Sequence, residues 1–108
     1  IPSNVISLAN NHANTTYLQF CKERQLQPHP ARMPVGLPEF FIKFLTEEGD
    51  MVLDPFAGSN TTGSEAEKLG RRWVSIEPKK EYIIGSVGRF QDKSNLLIGD
   101  NYSEFKIK

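Results

Sequence analysis

Met51-Val52-Leu53 is an unbroken apolar run that stops at Asp54 and gives way to Pro55-Phe56-Ala57-Gly58-Ser59, a loop carrying a glycine. A run of that kind fits a strand covered on both faces, as in parallel sheets. After the loop, Thr62 followed three residues later by Glu65 reads as a capping box that opens a helix. Ala66 and Leu69 give that helix an inner face, and Gly70 suits a left-handed end. A second apolar segment, Trp73-Val74-Ser75-Ile76, closes at Glu77-Pro78. Strand, glycine loop, helix and strand in this order form a crossover unit, which restricts the chain to α/β architectures with parallel strands.

The flanking segments extend the same pattern. Leu37, Phe40, Phe41, Phe44 and Leu45 recur at helical spacing, and Pro38 suits a first helical turn, so a helix with a strong buried face precedes the strand. The aromatic stripe Phe40, Phe41, Phe44 reads as core. Gly49-Asp50 makes the turn between them. A further helix runs from about Lys79 to Phe90, with Ile83, Val87 and Phe90 on one side, and Leu96-Leu97-Ile98 suits a third strand in the parallel sheet. Upstream, Asn14 can cap a short helix to Gln25 that places Tyr17, Leu18 and Cys21 together. Pro28-His29-Pro30-Ala31-Arg32-Met33-Pro34 must run extended as a strap, because proline restricts its predecessor and lacks a donor. His29, between prolines and without a set of metal ligands around it, shapes that strap. Three regions follow: a strap with a short helix over 1–36, an α/β core over 37–92, and a strand or tail over 93–108.

Composition removes several function classes. The 108 residues include thirteen basic and thirteen acidic side chains, so overall charge announces neither a nucleic-acid nor a membrane surface. A lone Cys21 allows no internal disulfide, and no stretch is long and apolar enough to span a bilayer, which makes the cytoplasm the default location.

The glycine loop raises the question of a ligand. Gly58 and Gly63 are spaced as in a phosphate-binding loop, but Ser64 and Glu65 stand where that motif needs lysine and then serine or threonine. Gly58-Ser59-Asn60 also lacks the second glycine of the dinucleotide fingerprint. What remains is a glycine loop after one strand and Glu77 at the end of the next, nineteen positions beyond Gly58. A carboxylate there accepts hydrogen bonds from a ribose diol, or else is an ordinary surface group beside a strand end. Ribose without phosphate points to S-adenosylmethionine.

Asp54-Pro55-Phe56-Ala57-Gly58-Ser59 resembles the cofactor motif of DNA methyltransferases that modify the exocyclic amino group of cytosine or adenine. His29-Pro30-Ala31-Arg32-Met33-Pro34, followed by Leu37-Pro38-Glu39-Phe40-Phe41-Ile42-Lys43, is similar to the segment before that motif in the circularly permuted β group. Asn60-Thr61-Thr62-Gly63, Arg72-Trp73, Glu77 and Glu81-Tyr82 continue the likeness, which covers residues 26–92 and is closest to cytosine-N4 enzymes of restriction-modification systems. The resemblance implies a partial Rossmann-like S-adenosylmethionine-dependent methyltransferase fold with parallel strands and flanking helices. It also implies a cofactor site made of Arg32, Pro34, Asp54, Phe56, Ala57, Gly58, Ser59, Asn60, Thr61, Thr62, Glu77 and Pro78. Phe56 either contacts the methionine end of the cofactor or anchors the loop, and Arg32 either neutralises the cofactor carboxylate or faces solvent.

The family's Asp/Asn/Ser-Pro-Pro-aromatic loop, which holds the flipped base, has no counterpart, since the chain contains no Pro-Pro pair. No catalytic residue and no metal site are therefore expected. Together with the permuted order and the start at Ile1, this suggests a C-terminal cofactor-binding fragment that is inactive alone. DNA would be reached through the complete enzyme, with a separately encoded catalytic half or self-association completing it. Two other readings stay open: a non-catalytic remnant or partner-binding module of the same fold, and an unrelated nucleotide-binding regulator.

Overall fold

The structure, a computed structural model, describes residues 12–99 and the backbone of residues 104–107. Helix α1 (His12–Glu23) leads through an extended strap to α2 (Gly36–Leu45) and then strand β1 (Met51–Asp54). Helix α3 (Thr61–Lys68), strand β2 (Arg72–Ile76) and helix α4 (Lys80–Ser86) follow, the last prolonged by a 3₁₀ turn at Val87–Arg89. Strands β3 (Leu96–Ile98) and β4 (Glu104–Ile107) complete a sheet ordered β1-β2-β4-β3. The expected mixed α/β fold is present. The parts of the expected 1–36 strap and 93–108 tail that fall on residues 1–11, 100–103 and 108 lie outside the described residues.

Strands β1 and β2 pair in parallel, with Leu53 opposite Val74. Parallel pairing stops there, because β4 runs antiparallel to both β2 and β3. β3 thus keeps the direction of β1 and β2 without touching either. The short connection between β3 and β4 permits only an antiparallel pair, since a parallel return needs a crossover of about a dozen residues or more.

The core lies on one side of the sheet. Trp73 is fully buried and stacks on Phe90 at 5.2 Å between ring centroids, with Ile42 of α2, Ala66 of α3 and Ile83 of α4 packed around it. Aromatic pairs of this kind add about 1 kcal/mol to their burial. Arg71 Nη2 donates to the Thr46 carbonyl at 2.6 Å and thereby fastens the end of α2 beside the end of α3.

Several expectations fail for identifiable reasons. The α2 stripe is not core: Pro38 and Ile42 are buried, whereas Phe41, Phe44 and Leu45 are 45, 67 and 70 % exposed. Its phenyl rings cover one another instead, Phe40 lying 5.9 Å from Phe44, because no described element reaches that face. β1 is not covered on both sides either, and Met51 and Leu53 stand exposed. Helix α3 is capped by Asn60, whose side chain accepts from the Gly63 amide, so Thr62 sits inside the helix and the Thr62–Glu65 capping box does not form. Asn14 lies within α1 rather than at its cap. Gly49 and Gly70 both turn with positive φ, as their positions suggest.

Candidate functional site

The loop between β1 and α3 is braced at each step. Asp54 Oδ1 accepts from the Phe56 amide at 2.9 Å, a local turn that ends the strand. The Ala57 amide donates to the Ile76 carbonyl at 3.0 Å, tying the loop to the end of β2. Gly58 adopts φ +55° and its amide donates to Glu77 Oε1 at 3.0 Å. The other oxygen, Glu77 Oε2, accepts from the Lys79 amide at 2.8 Å. Glu77 is therefore a buried carboxylate rather than a surface one, and each of its oxygens has capacity for a further donor. Asn60 holds φ +64° and uses its one acceptor oxygen for both the Gly63 amide and the Ser75 hydroxyl.

These contacts open a cleft of about 310 Å³, at the small end of ordinary ligand pockets. One wall is the loop with Phe56, Ala57, Gly58, Ser59 and Thr61; its floor is Glu77 and Pro78; the opposite wall is His29, Ala31 and Met33 from the strap. Phe56 projects from the rim, 88 % exposed. The remaining sequence-derived candidates stand elsewhere. Asp54 supports the turn below Phe56, and Asn60 is buried at the helix cap. Thr62 faces an apolar cleft beside β1. Arg32 Nη1 donates to the His29 carbonyl at 2.6 Å, and the Pro34 carbonyl accepts from the Leu37 amide where α2 begins. Arg32 and Pro34 thus shape the strap rather than line the cleft.

Two residues with larger parts were not among the candidates. His29 does shape the strap, through its amide donating to Tyr17 Oη at 2.9 Å and its Nδ1 lying 2.6 Å from the Ala31 carbonyl. It also walls the cleft: its ring meets Tyr82 edge-on at 4.7 Å and covers Gly58, where an added Cβ would come within 3.1 Å of Nε2. Arg89 is buried behind the loop, its Nε donating to the Ser59 carbonyl and its Nη2 to Ser59 Oγ, both at 2.7 Å. Burial pulls its guanidinium down to about 10, still charged at neutral pH, and pushes the Tyr17 phenol beneath it up to about 12. Arg89 falls off the Ile83–Val87–Phe90 face that periodicity picks out. The available signal was the run of small residues Gly85, Ser86 and Gly88, which lets α1 approach so closely that a Cβ at Gly88 would collide with the Phe20 ring.

A loop with two left-handed residues, a carboxylate bound to the glycine amide and a small cleft above them suits a neutral sugar better than a phosphate. No lysine or arginine lines the cleft, whereas Glu77 is placed to accept from hydroxyls.

Comparison with known proteins identifies the family. A family model for N6/N4 methyltransferases, described as DNA methylase, matches residues 5–87. The chain is 48 % identical over 107 residues to the type II methyltransferase M.PvuII of Proteus hauseri, covering 99 % of this chain and 30 % of that enzyme. It is 48 % identical over 61 residues to M2.DpnII of Streptococcus pneumoniae, covering 56 % and 23 % of the two chains. With M.BamHI of Bacillus amyloliquefaciens it shares 42 % identity over 72 residues, 67 % of this chain and 17 % of the other. Among solved structures, the PvuII DNA methyltransferase, cytosine-N4-specific, superimposes with a TM-score of 0.78 at 49 % identity over 87 % of this chain and 33 % of that one. The chain thus spans about a third or less of these relatives, and it belongs to the family of N6/N4 amino-methylating DNA methyltransferases.

Proposed function

We propose that this chain is the S-adenosylmethionine-binding part of a site-specific DNA methyltransferase that methylates the exocyclic amino group of cytosine, and that alone it transfers no methyl group. The observation that carries the reading is the bond between the Gly58 amide and Glu77, which holds a carboxylate at the floor of a cleft next to a left-handed glycine. Glu77 would accept from the ribose hydroxyls, while Gly58 and Ser59 present backbone to the cofactor and Phe56 stands at the rim. His29, Ala31 and Met33 would exclude water from the strap side. When bound, S-adenosylmethionine supplies the electrophilic methyl on its sulfonium. The choice of cytosine rests on the likeness to the superimposed cytosine-N4-specific enzyme. Family membership removes the reading of an unrelated nucleotide-binding regulator.

Inactivity alone follows from orientation. Transfer needs an amino nitrogen held in line with the methyl group, and the chain contains no Pro-Pro-aromatic loop of the kind that would hold a flipped base. The remainder of the fold, on the same or another polypeptide, would supply them and would cover the apolar surface beside β1.

Calorimetric titration with S-adenosylmethionine, S-adenosylhomocysteine and ATP tests the first half, and tritiated-methyl incorporation into duplex DNA tests the second. Binding of the two adenosyl ligands but not ATP, without incorporation, is expected. A folded chain that ignores both adenosyl ligands would refute the cofactor role, and turnover abolished by Glu77→Ala would refute inactivity.

A further inference from the structure

Arg89 is 5 % exposed, and among the described residues no carboxylate lies within ion-pair distance of it. Its partners are neutral: the carbonyl and hydroxyl of Ser59, the Asn14 side-chain oxygen at 2.9 Å, and the face of Tyr17. Nη1 is buried with no hydrogen-bond partner at all among the described residues. A buried charge hydrogen-bonded only to neutral groups, with the Glu65 carboxylate acting from beyond ion-pair distance, is a poor route to stability. What it does achieve is to fix Ser59, which stands between the two left-handed residues Gly58 and Asn60. A non-glycine residue in that conformation persists only when its surroundings over-determine it.

We infer that Arg89 is a positioning residue of the cofactor loop and that, through it, helix α1 is coupled to ligand binding; this rests on the cleft taking an adenosyl ligand, as proposed above. The coupling has two arms, both starting on α1. Asn14 holds Arg89, which holds Ser59 on the inner side of the loop. Tyr17 accepts from the His29 amide, and the His29 ring covers Gly58 on the outer side. The loop is gripped between them. Linkage is reciprocal, so an adenosyl ligand that favours this loop geometry favours the docking of α1 by the same factor.

The test uses the whole chain with Arg89→Lys, Asn14→Ala, Asn14→Asp and the Arg89→Lys/Asn14→Ala pair. Affinity for S-adenosylhomocysteine is measured by calorimetry, and amide hydrogen exchange is measured without ligand. Arg89→Lys is expected to weaken binding about tenfold and Asn14→Ala about threefold, the range for one or two hydrogen bonds to a charged group. The double variant should be no weaker than Arg89→Lys, because Asn14 acts through Arg89. Asn14→Asp, which keeps the acceptor, should restore the parental affinity. Exchange should quicken at Ser59, Asn60 and α1 while the amides of β1 and β2 keep their protection. Parental affinity in folded Arg89→Lys, or exchange that quickens uniformly, would overturn the inference and leave Arg89 as general support. Should the parental chain bind no S-adenosylhomocysteine, the cofactor reading fails first, and the exchange pattern then decides for or against the Arg89 strut by itself. Should Arg89→Lys not fold, Asn14→Ala against Asn14→Asp decides the same question.

Discussion

The two faces of the sheet are built from neighbouring residues of the same strands yet have opposite fates. On one, Trp73 and Ser75 of β2 are buried beneath the helices, and Val52 of β1 packs against their core. On the other, Met51 and Leu53 of β1 and Ile76 of β2 lie exposed, although they are as apolar as their neighbours. Doubly wound sheets bury both faces. Among the described residues helices cover one face only, and β1 is an edge strand with an apolar cleft of about 330 Å³ between it and α2 on the helix-covered side. The loop that would hold the cofactor belongs wholly to the finished side, since its braces come from β2, the strap and α1. The braces of the glycine loop are thus in place where one face of the sheet is bare.

The largest difference should appear on comparing Trp73→Ala with Leu53→Ala. The first should cost about 3 to 5 kcal/mol, enough to unfold a domain of this size, and the second less than about 0.5 kcal/mol. Equal costs in urea denaturation would mean that the exposed face is covered after all. Next in size is the cleft. Glu77→Ala should weaken S-adenosylmethionine binding by about 1.5 to 3 kcal/mol, with Glu77→Gln keeping part, and Gly58→Val should abolish it, since φ +55° and the His29 ring both exclude a side chain. A loss of less than about twofold for both Glu77 variants would reduce that carboxylate to a loop brace.

A smaller effect sits in α3 on the finished side. Burial holds the Glu65 carboxyl above its ordinary value of 4.5, against the pull of Lys68. The folded chain then binds that proton more tightly than the unfolded one, so stability is fully present below the unfolded value and falls as pH rises through the folded one. Glu65→Gln should melt above the parent at pH 7, with the gap closing below pH 4.5; a gap that persists in acid would assign it to packing instead. Smallest in stability is Phe44→Lys on the open face of α2 combined with Leu53→Lys on the bare face of the sheet. The melting temperature should barely move while sedimentation shows less self-association.

Much of the fold was legible because local chemistry wrote it. The apolar run at β1, the left-handed Gly70 and the helical spacing of α2 each announce themselves within a few residues. Periodicity reports which side of an element is apolar, however, and says nothing of whether its cover lies in the same chain, which is why Phe41 and Phe44 read as core and stand exposed. Asn60, Thr61 and Thr62 are all competent helix caps, and Asn60 is set apart by its left-handed backbone, its contact with Ser75 and the room that Gly63 leaves for its side chain. Arg89 was invisible because its partners, Asn14 and Ser59, are 75 and 30 positions away. His29 carried a faint sign, set between prolines that hold it extended, but its place over Gly58 depends on how the strap returns across the loop.

The sheet order also dictates a sequence of events. β4 follows β3 along the chain but lies between β3 and β2, so β3 has no neighbour to hydrogen-bond until β4 is in place. The two meet as a hairpin across residues 99–103 and join β2 as a pair, whereas the β1–α3–β2 crossover must close the longer stretch 55–71. The rate at which the molecule becomes whole is then set by the longer closures, the crossover and the docking of the hairpin on β2, where Glu104 pairs with Ile76 next to the glycine loop. Substitutions in the β3–β4 hairpin should therefore slow refolding less than substitutions in the crossover that carries the glycine turn and its glutamate.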